Sequence, residues 1–90
     1  MRTTNPPEQA ARNVAALASL RRRLPPPAMR KALRKGSGLT LAQVATSIGD
    51  VTPQAIGLWE SGKRTPRKDL LGAYVAVLEQ LADDSSRAAS

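Results

Sequence analysis

Apolar positions in this chain recur every three or four residues rather than every second one, so helices are predicted throughout and strands nowhere. In "EQAARNVAALASLRRRL", residues 8–24, Ala10, Val14, Leu17, Leu20 and Leu24 fall within roughly a 120° arc of one helix. Arg21 interrupts that arc near its end. Asn5 or Pro6–Pro7 offers the start, and "PPP" at 25–27 stops the helix and acts as a stiff spacer. A second helix covers residues 28–35 and ends at "GSG", residues 36–38. Thr40 can cap a third, 41–48, with Val44, Ala45 and Ile48 facing inward and Gly49 as terminator. Thr52 and Pro53 suit the cap and first position of a fourth, which runs to about Ser61 and stops at Gly62. A last helix, 68–81, would bury Leu71, Tyr74, Val75 and Leu78. The expected organisation is a disordered start (1–7), an amphipathic helix and proline spacer (8–27), a helical domain (28–81) and a flexible tail (82–90).

Two short helices joined by a glycine-containing turn, 40–48 and 52–61, make a helix–turn–helix pattern. On a helical wheel of the second, Ala55, Ile56 and Trp59 share one side with Thr52 near them. Gln54, Gly57, Leu58 and Ser61 share the other. The inner side is core. The outer side carries a bare backbone at Gly57 and an apolar side chain at Leu58, which suits a face that lies against something.

"LRKGSGLTLAQVATSIG" followed by "TPQAIGLWESGKRTP" resembles the lambda-repressor/Cro-like, or Xre-type, helix–turn–helix family. The resemblance covers about residues 28–78 and rests on "GLT", "AxxVAxxIG", "QAIxxWExGKRxP" and the spaced Leu71, Tyr74 and Leu78. It implies an all-α fold: a small lambda-repressor-like bundle of four to five helices, here with an extra N-terminal helix. It also implies a repressor, usually dimeric, that binds the major groove. Arg34, five positions before Leu39, matches the family arginine that pairs with a glutamate near the end of the recognition helix, here Glu60. Gln54 matches a position where glutamine often reads a base. Lys63 and Arg64 match a loop that follows the phosphate backbone. Two positions depart from the pattern. The turn "GDV" is one residue longer between Gly49 and Ile56 than is usual. Leu41 stands where the family commonly has a glutamine bonded to a phosphate, so either an anchor is lost or the leucine points into the core. After Leu78 no family fifth helix is evident, and the N-terminal helix is a candidate to cover the surface left open.

Composition narrows the chemistry. The 90 residues make one domain with a thin core. With no cysteine and no histidine, disulfides, zinc fingers, thiol catalysis and imidazole chemistry are excluded. The carboxylates are scattered, so no catalytic set, metal site or cofactor is expected, and an enzyme is the least favoured class. No apolar run approaches the roughly 20 residues of a membrane span, and the expected location is cytoplasmic. Fourteen Lys and Arg against seven Asp and Glu give +7. The excess lies in residues 1–27 and 28–81 alike, and it points to a polyanion.

The candidate base readers are therefore Gln54, Leu58, Gly57 and Ser61. Candidate phosphate contacts are Thr40, Thr52, Lys63, Arg64, Arg67 and Lys68. Arg21, Arg22 and Arg23 are candidate arm contacts, or an ordinary basic helix end favourable to the dipole. Arg34, Glu60, Trp59 and Ile56 are assigned structural roles. The expected partner is double-stranded DNA, bound by a homodimer because one recognition helix reads few base pairs. The alternatives are a protein-interaction module on the same fold, antitoxin-like or coactivator-like, and a non-specific architectural DNA binder. The leucine stripe of 8–24 and the outward Leu58 would supply apolar surface for a protein partner.

Overall fold

The computed structural model describes residues 4–88. They form five α-helices in the order α1 (Pro7–Arg23), α2 (Pro27–Gly36), α3 (Leu41–Ile48), α4 (Pro53–Glu60) and α5 (Lys68–Ala88), with no strand among them. α3 and α4 are the helix–turn–helix. α2 and α5 back them, and α1 lies along α5.

Local chemistry starts and stops the motif helices. The Thr40 hydroxyl accepts from the Gln43 amide at 3.1 Å, while the Gln43 side chain accepts from the Thr40 amide at 2.9 Å. This capping box satisfies two otherwise orphaned donors. Thr52 accepts from the Ala55 amide at 3.1 Å, and Pro53 takes the first helical position. Between them, two successive residues take positive φ, Gly49 (84°) and Asp50 (53°). Asp is one of the few non-glycine residues that visits this region readily.

The core is one cluster: Val44 and Ala45 from α3, Ile56 and Trp59 from α4, Tyr74 and Leu78 from α5. Trp59 and Tyr74, the chain's two aromatics, meet with ring centroids 4.9 Å apart at a 53° tilt. Each fully buried side chain of this size stabilises by about 1.5–3 kcal/mol, so α4 is held chiefly through Ile56 and Trp59. Leu71, Val75 and Leu81 extend the buried face of α5.

The structure differs from the sequence expectation at both ends. α5 does not stop at Leu81 but continues to Ala88, through residues expected to be a flexible tail. Polar i,i+4 links carry it: Gln80 to Asp84 at 2.9 Å and Arg87 to Asp83 at 2.8 Å. Residues 89 and 90 of that tail, and 1–3 of the expected disordered start, lie outside the described residues. Pro7, also assigned to that start, is instead the first residue of α1, a position its fixed φ and missing donor suit. Of the apolar stripe on α1, only the later part is covered: Leu17 and Leu20 are half-buried, while Ala10 is exposed and Val14 is 68% exposed. Periodicity marks the face a helix would bury, and α5 reaches only the second half of α1.

Candidate nucleic-acid interface

α4 is the natural centre of the site, and its position is fixed from behind. Arg34 on α2 makes two hydrogen bonds to the Glu60 carboxylate, at 2.6 and 3.1 Å, and donates a third, at 2.9 Å, to the Leu39 carbonyl. Both side chains are nearly sealed from solvent, at 11% and 6% exposure. The Glu60 bond raises the Arg34 pKa further above its ordinary value. Arg30, one helical turn earlier, ties the Trp59 carbonyl at 2.8 Å to the Pro25 carbonyl at 2.7 Å. The candidate residues do not include Arg30, because its partners are backbone carbonyls, one of them 29 positions away. Its only sequence signal was the i,i+4 relation to Arg34.

The end of α4 is closed just as tightly. The Leu58 carbonyl accepts from the Lys63 and Arg64 amides at 3.1 and 3.3 Å and from the Ser61 hydroxyl at 3.0 Å. Gly62 then turns the chain with φ 77°, and a β-carbon there would sit 3.1 Å from Pro27. The positive φ favours glycine, and a β-carbon would also crowd the Pro27 ring.

With the back of the helix accounted for, the outward residues separate. Gln54 is exposed in the first turn, and its amide has no hydrogen-bond partner among the described residues. Leu58 is half-buried rather than fully outward. Ser61 is exposed, but its proton is committed to the Leu58 carbonyl and its oxygen accepts from the Lys63 amide at 3.4 Å, so one lone pair remains to accept from a base amino group. Thr40 and Thr52 have the opposite disposition. Their oxygens accept cap bonds, and their protons remain free to donate to a phosphate.

Gly57 is only half-exposed and faces α3, where a β-carbon would meet Leu41 Cδ1 at 3.7 Å. Leu41 is itself half-buried and packed against the core. Of the two outcomes open for Leu41, it takes the inward one: the leucine on α3 lies over the glycine on α4.

The basic candidates fall into two groups. Lys63, Arg64, Arg67 and Lys68 are all exposed just beyond α4. Arg64 and Arg67 line a cavity of about 420 Å³ with Asp50, Thr52 and Thr65, over an apolar floor of Val51, Ala55, Trp59 and Leu70. The N-terminal arginines are elsewhere. Arg23 makes a two-point pair with Glu79 of α5, at 2.6 and 2.9 Å, which commits it to holding α1. Its hydrogen bond and charge lower the Glu79 pKa. Arg21 and Arg22 stay exposed and make no ion pair among the described residues. The arm therefore offers two cations, not three.

Among the described residues, one buried side-chain polar atom has no protein partner, the Tyr74 hydroxyl. Burial pushes its pKa up to about 12, with the Glu60 charge adding and Arg30 and Arg34 opposing. No group of three His, Cys, Asp or Glu among the described residues could hold a metal, and no helix there is long and apolar enough to cross a membrane.

In comparison with known families, a family described as helix–turn–helix aligns with residues 31–82, more than half of the chain. That span takes in α3, α4, Arg34, Glu60 and most of α5, and it leaves α1 outside. No curated protein and no solved structure matches the chain.

Proposed function

The chain belongs to the lambda-repressor/Cro-like (Xre-type) helix–turn–helix family, whose members bind DNA, and from that premise we propose that it is a sequence-specific transcriptional repressor reading the major groove with α4. The observation that carries the reading is the asymmetry of α4. Its inner side is locked by Ile56, Trp59, Glu60 and the two α2 arginines. Its first turn presents the unpartnered amide of Gln54, and Lys63, Arg64, Arg67 and Lys68 are exposed just beyond its other end.

Recognition then divides by chemistry. The Gln54 amide bonds adenine through two points, worth about 1–3 kcal/mol of discrimination. Leu58 supplies an apolar edge for a thymine methyl, and Ser61 accepts from a base amino group. Thr40, Thr52 and the basic loop bond phosphates, so affinity falls steeply with salt. With few base readers, the deformability of the duplex adds to specificity. A homodimer presents two copies of α4 to half-sites about one helical turn, ~34 Å, apart.

In vitro selection of bound duplexes, run with the native chain and with Gln54→Ala, tests this. The expected result is a two-fold-related site, with preference at one base pair per half-site lost in the variant. Unchanged selection by Gln54→Ala would show that α4 is docked differently.

A second reading has its own support. The uncovered first half of α1, with Val14 bare, suits contact with a protein, either a second copy or a different partner. Light scattering on the full chain and on Val14→Asp distinguishes them. Loss of dimer in the variant assigns α1 to self-association, and an unchanged mass removes that role.

A further inference from the structure

Between α2, the start of α3 and the outer side of α4 lies a cavity of about 190 Å³, lined by Lys31, Arg34, Leu41, Gly57, Glu60 and Ser61. Three cations of α2 lie near α4, and two of them are spent. Arg34 is bonded to Glu60 and to the Leu39 carbonyl, so the charges of that pair largely cancel. Arg30 is bonded to the Pro25 and Trp59 carbonyls. Lys31 is exposed and has no ion pair or hydrogen bond among the described residues. It alone sets the net charge of the cavity.

We propose that Lys31 is a DNA-phosphate contact, taking a backbone phosphate at the mouth of this cavity beside Gly57. The proposal rests on α4 lying in the major groove, because the strand bounding that groove then passes the outer side of α4 where α2 flanks it. Each wall is consistent with this occupant. Gly57 has no side chain to obstruct the approach, and Leu41 fills the inner part with apolar atoms. The Ser61 proton is already donated to the Leu58 carbonyl, so Ser61 does not serve a phosphate. The mobile ammonium of Lys31 is a point charge on a flexible stem, suited to a phosphate whose exact place depends on the bend of the duplex.

The test is a fluorescence anisotropy titration of a mixed-sequence duplex over a series of salt concentrations, with the native chain, Lys31→Ala, Lys31→Arg, Lys35→Ala and Lys63→Ala. Lys35 is an exposed lysine of the same helix that does not line the cavity. Lys31→Ala is expected to lower the salt slope by about 0.9 and to weaken binding roughly eightfold near 0.1 M salt, the counterion release of one contact. Lys31→Arg should restore both, Lys35→Ala should change them less, and the melting temperature should hold because Lys31 is exposed. An unchanged slope in Lys31→Ala, with a lowered slope in Lys63→Ala, overturns the Lys31 contact and leaves the DNA-binding reading intact. Equal losses in Lys31→Ala and Lys35→Ala also overturn it, since they report only the general field. A native chain that fails to bind the duplex at low salt overturns both readings.

Discussion

Replacing Glu60 by alanine removes one half of the pair that sets α4 against α2. Its partner Arg34 would keep its bond to the Leu39 carbonyl but lose two charged bonds, at 2.6 and 3.1 Å, in a place only 11% exposed. An exposed pair contributes about 0–1 kcal/mol. Leaving one charge of a buried pair uncompensated costs roughly 3–5 kcal/mol. Total stability for a chain of this length is on the order of 5–13 kcal/mol. Glu60→Ala should therefore remove about a quarter or more of it and lower the melting temperature by ~12 °C or more. Urea and thermal unfolding followed by circular dichroism read the loss. The double variant Arg34→Met/Glu60→Leu should be more stable than either single variant, because an apolar pair has no desolvation penalty. High salt should leave the loss nearly unchanged, since a buried pair is poorly screened. A loss below about 1 kcal/mol in Glu60→Ala would refute the reasoning, because the pair would then behave as a surface pair despite its burial.

Three further outcomes are expected. Gly57→Ala should stabilise the fold by up to about 1 kcal/mol, since the new methyl meets Leu41 at an ordinary 3.7 Å and helix propensity improves; a rise in stability with weaker DNA binding would show that the bare backbone serves the interface, and destabilisation would contradict the packing. Tyr74 is the only tyrosine, so absorbance titration reports it alone; phenolate should form near pH 12 rather than 10, and because burial raises this acid's folded pKa, its stabilising contribution should be lost as pH rises through that window. Tyr74→Phe should abolish the signal without loss of stability, as the hydroxyl has no protein partner. The Arg23–Glu79 pair should release α1 on acidification: the folded Glu79 pKa lies below its ordinary 4.5, so its contribution is present above that value and fades as pH falls through the depressed one. Tryptophan-independent hydrogen exchange of α1 amides across that range checks it, with Glu79→Gln expected to remove the pH dependence.

Sequence legibility followed the range of the interactions. Thr40, Gly49, Thr52 and Pro53 mark the motif helices plainly because caps and terminators act within three or four residues. The core faces of α3, α4 and α5 followed from periodicity alone. The Arg34–Glu60 pair spans 26 positions and was visible only through the family resemblance. Arg30 escaped both routes, since a bond to a distant carbonyl leaves no pattern in side-chain types. The extension of α5 was missed because "DDSSR" is polar and reads as frayed, while its helix is held by side-chain links rather than burial. The N-terminal stripe shows the converse limit. Val14 and Leu17 look alike in the pattern, and only the reach of α5 separates them.

The tethering of α4 also bears on whether its reading surface is portable. Eight residues are far too few to stay helical alone in water, and here both ends are completed by groups from elsewhere in the chain. Thr52 closes the beginning, while Ser61, the Lys63 and Arg64 amides and Arg30 close the end. A graft of residues 53–60 onto another scaffold would transfer the letters of the recognition surface without the frame that aims them. Arg30, Arg34, Thr52 and the segment 61–64 would have to travel with it.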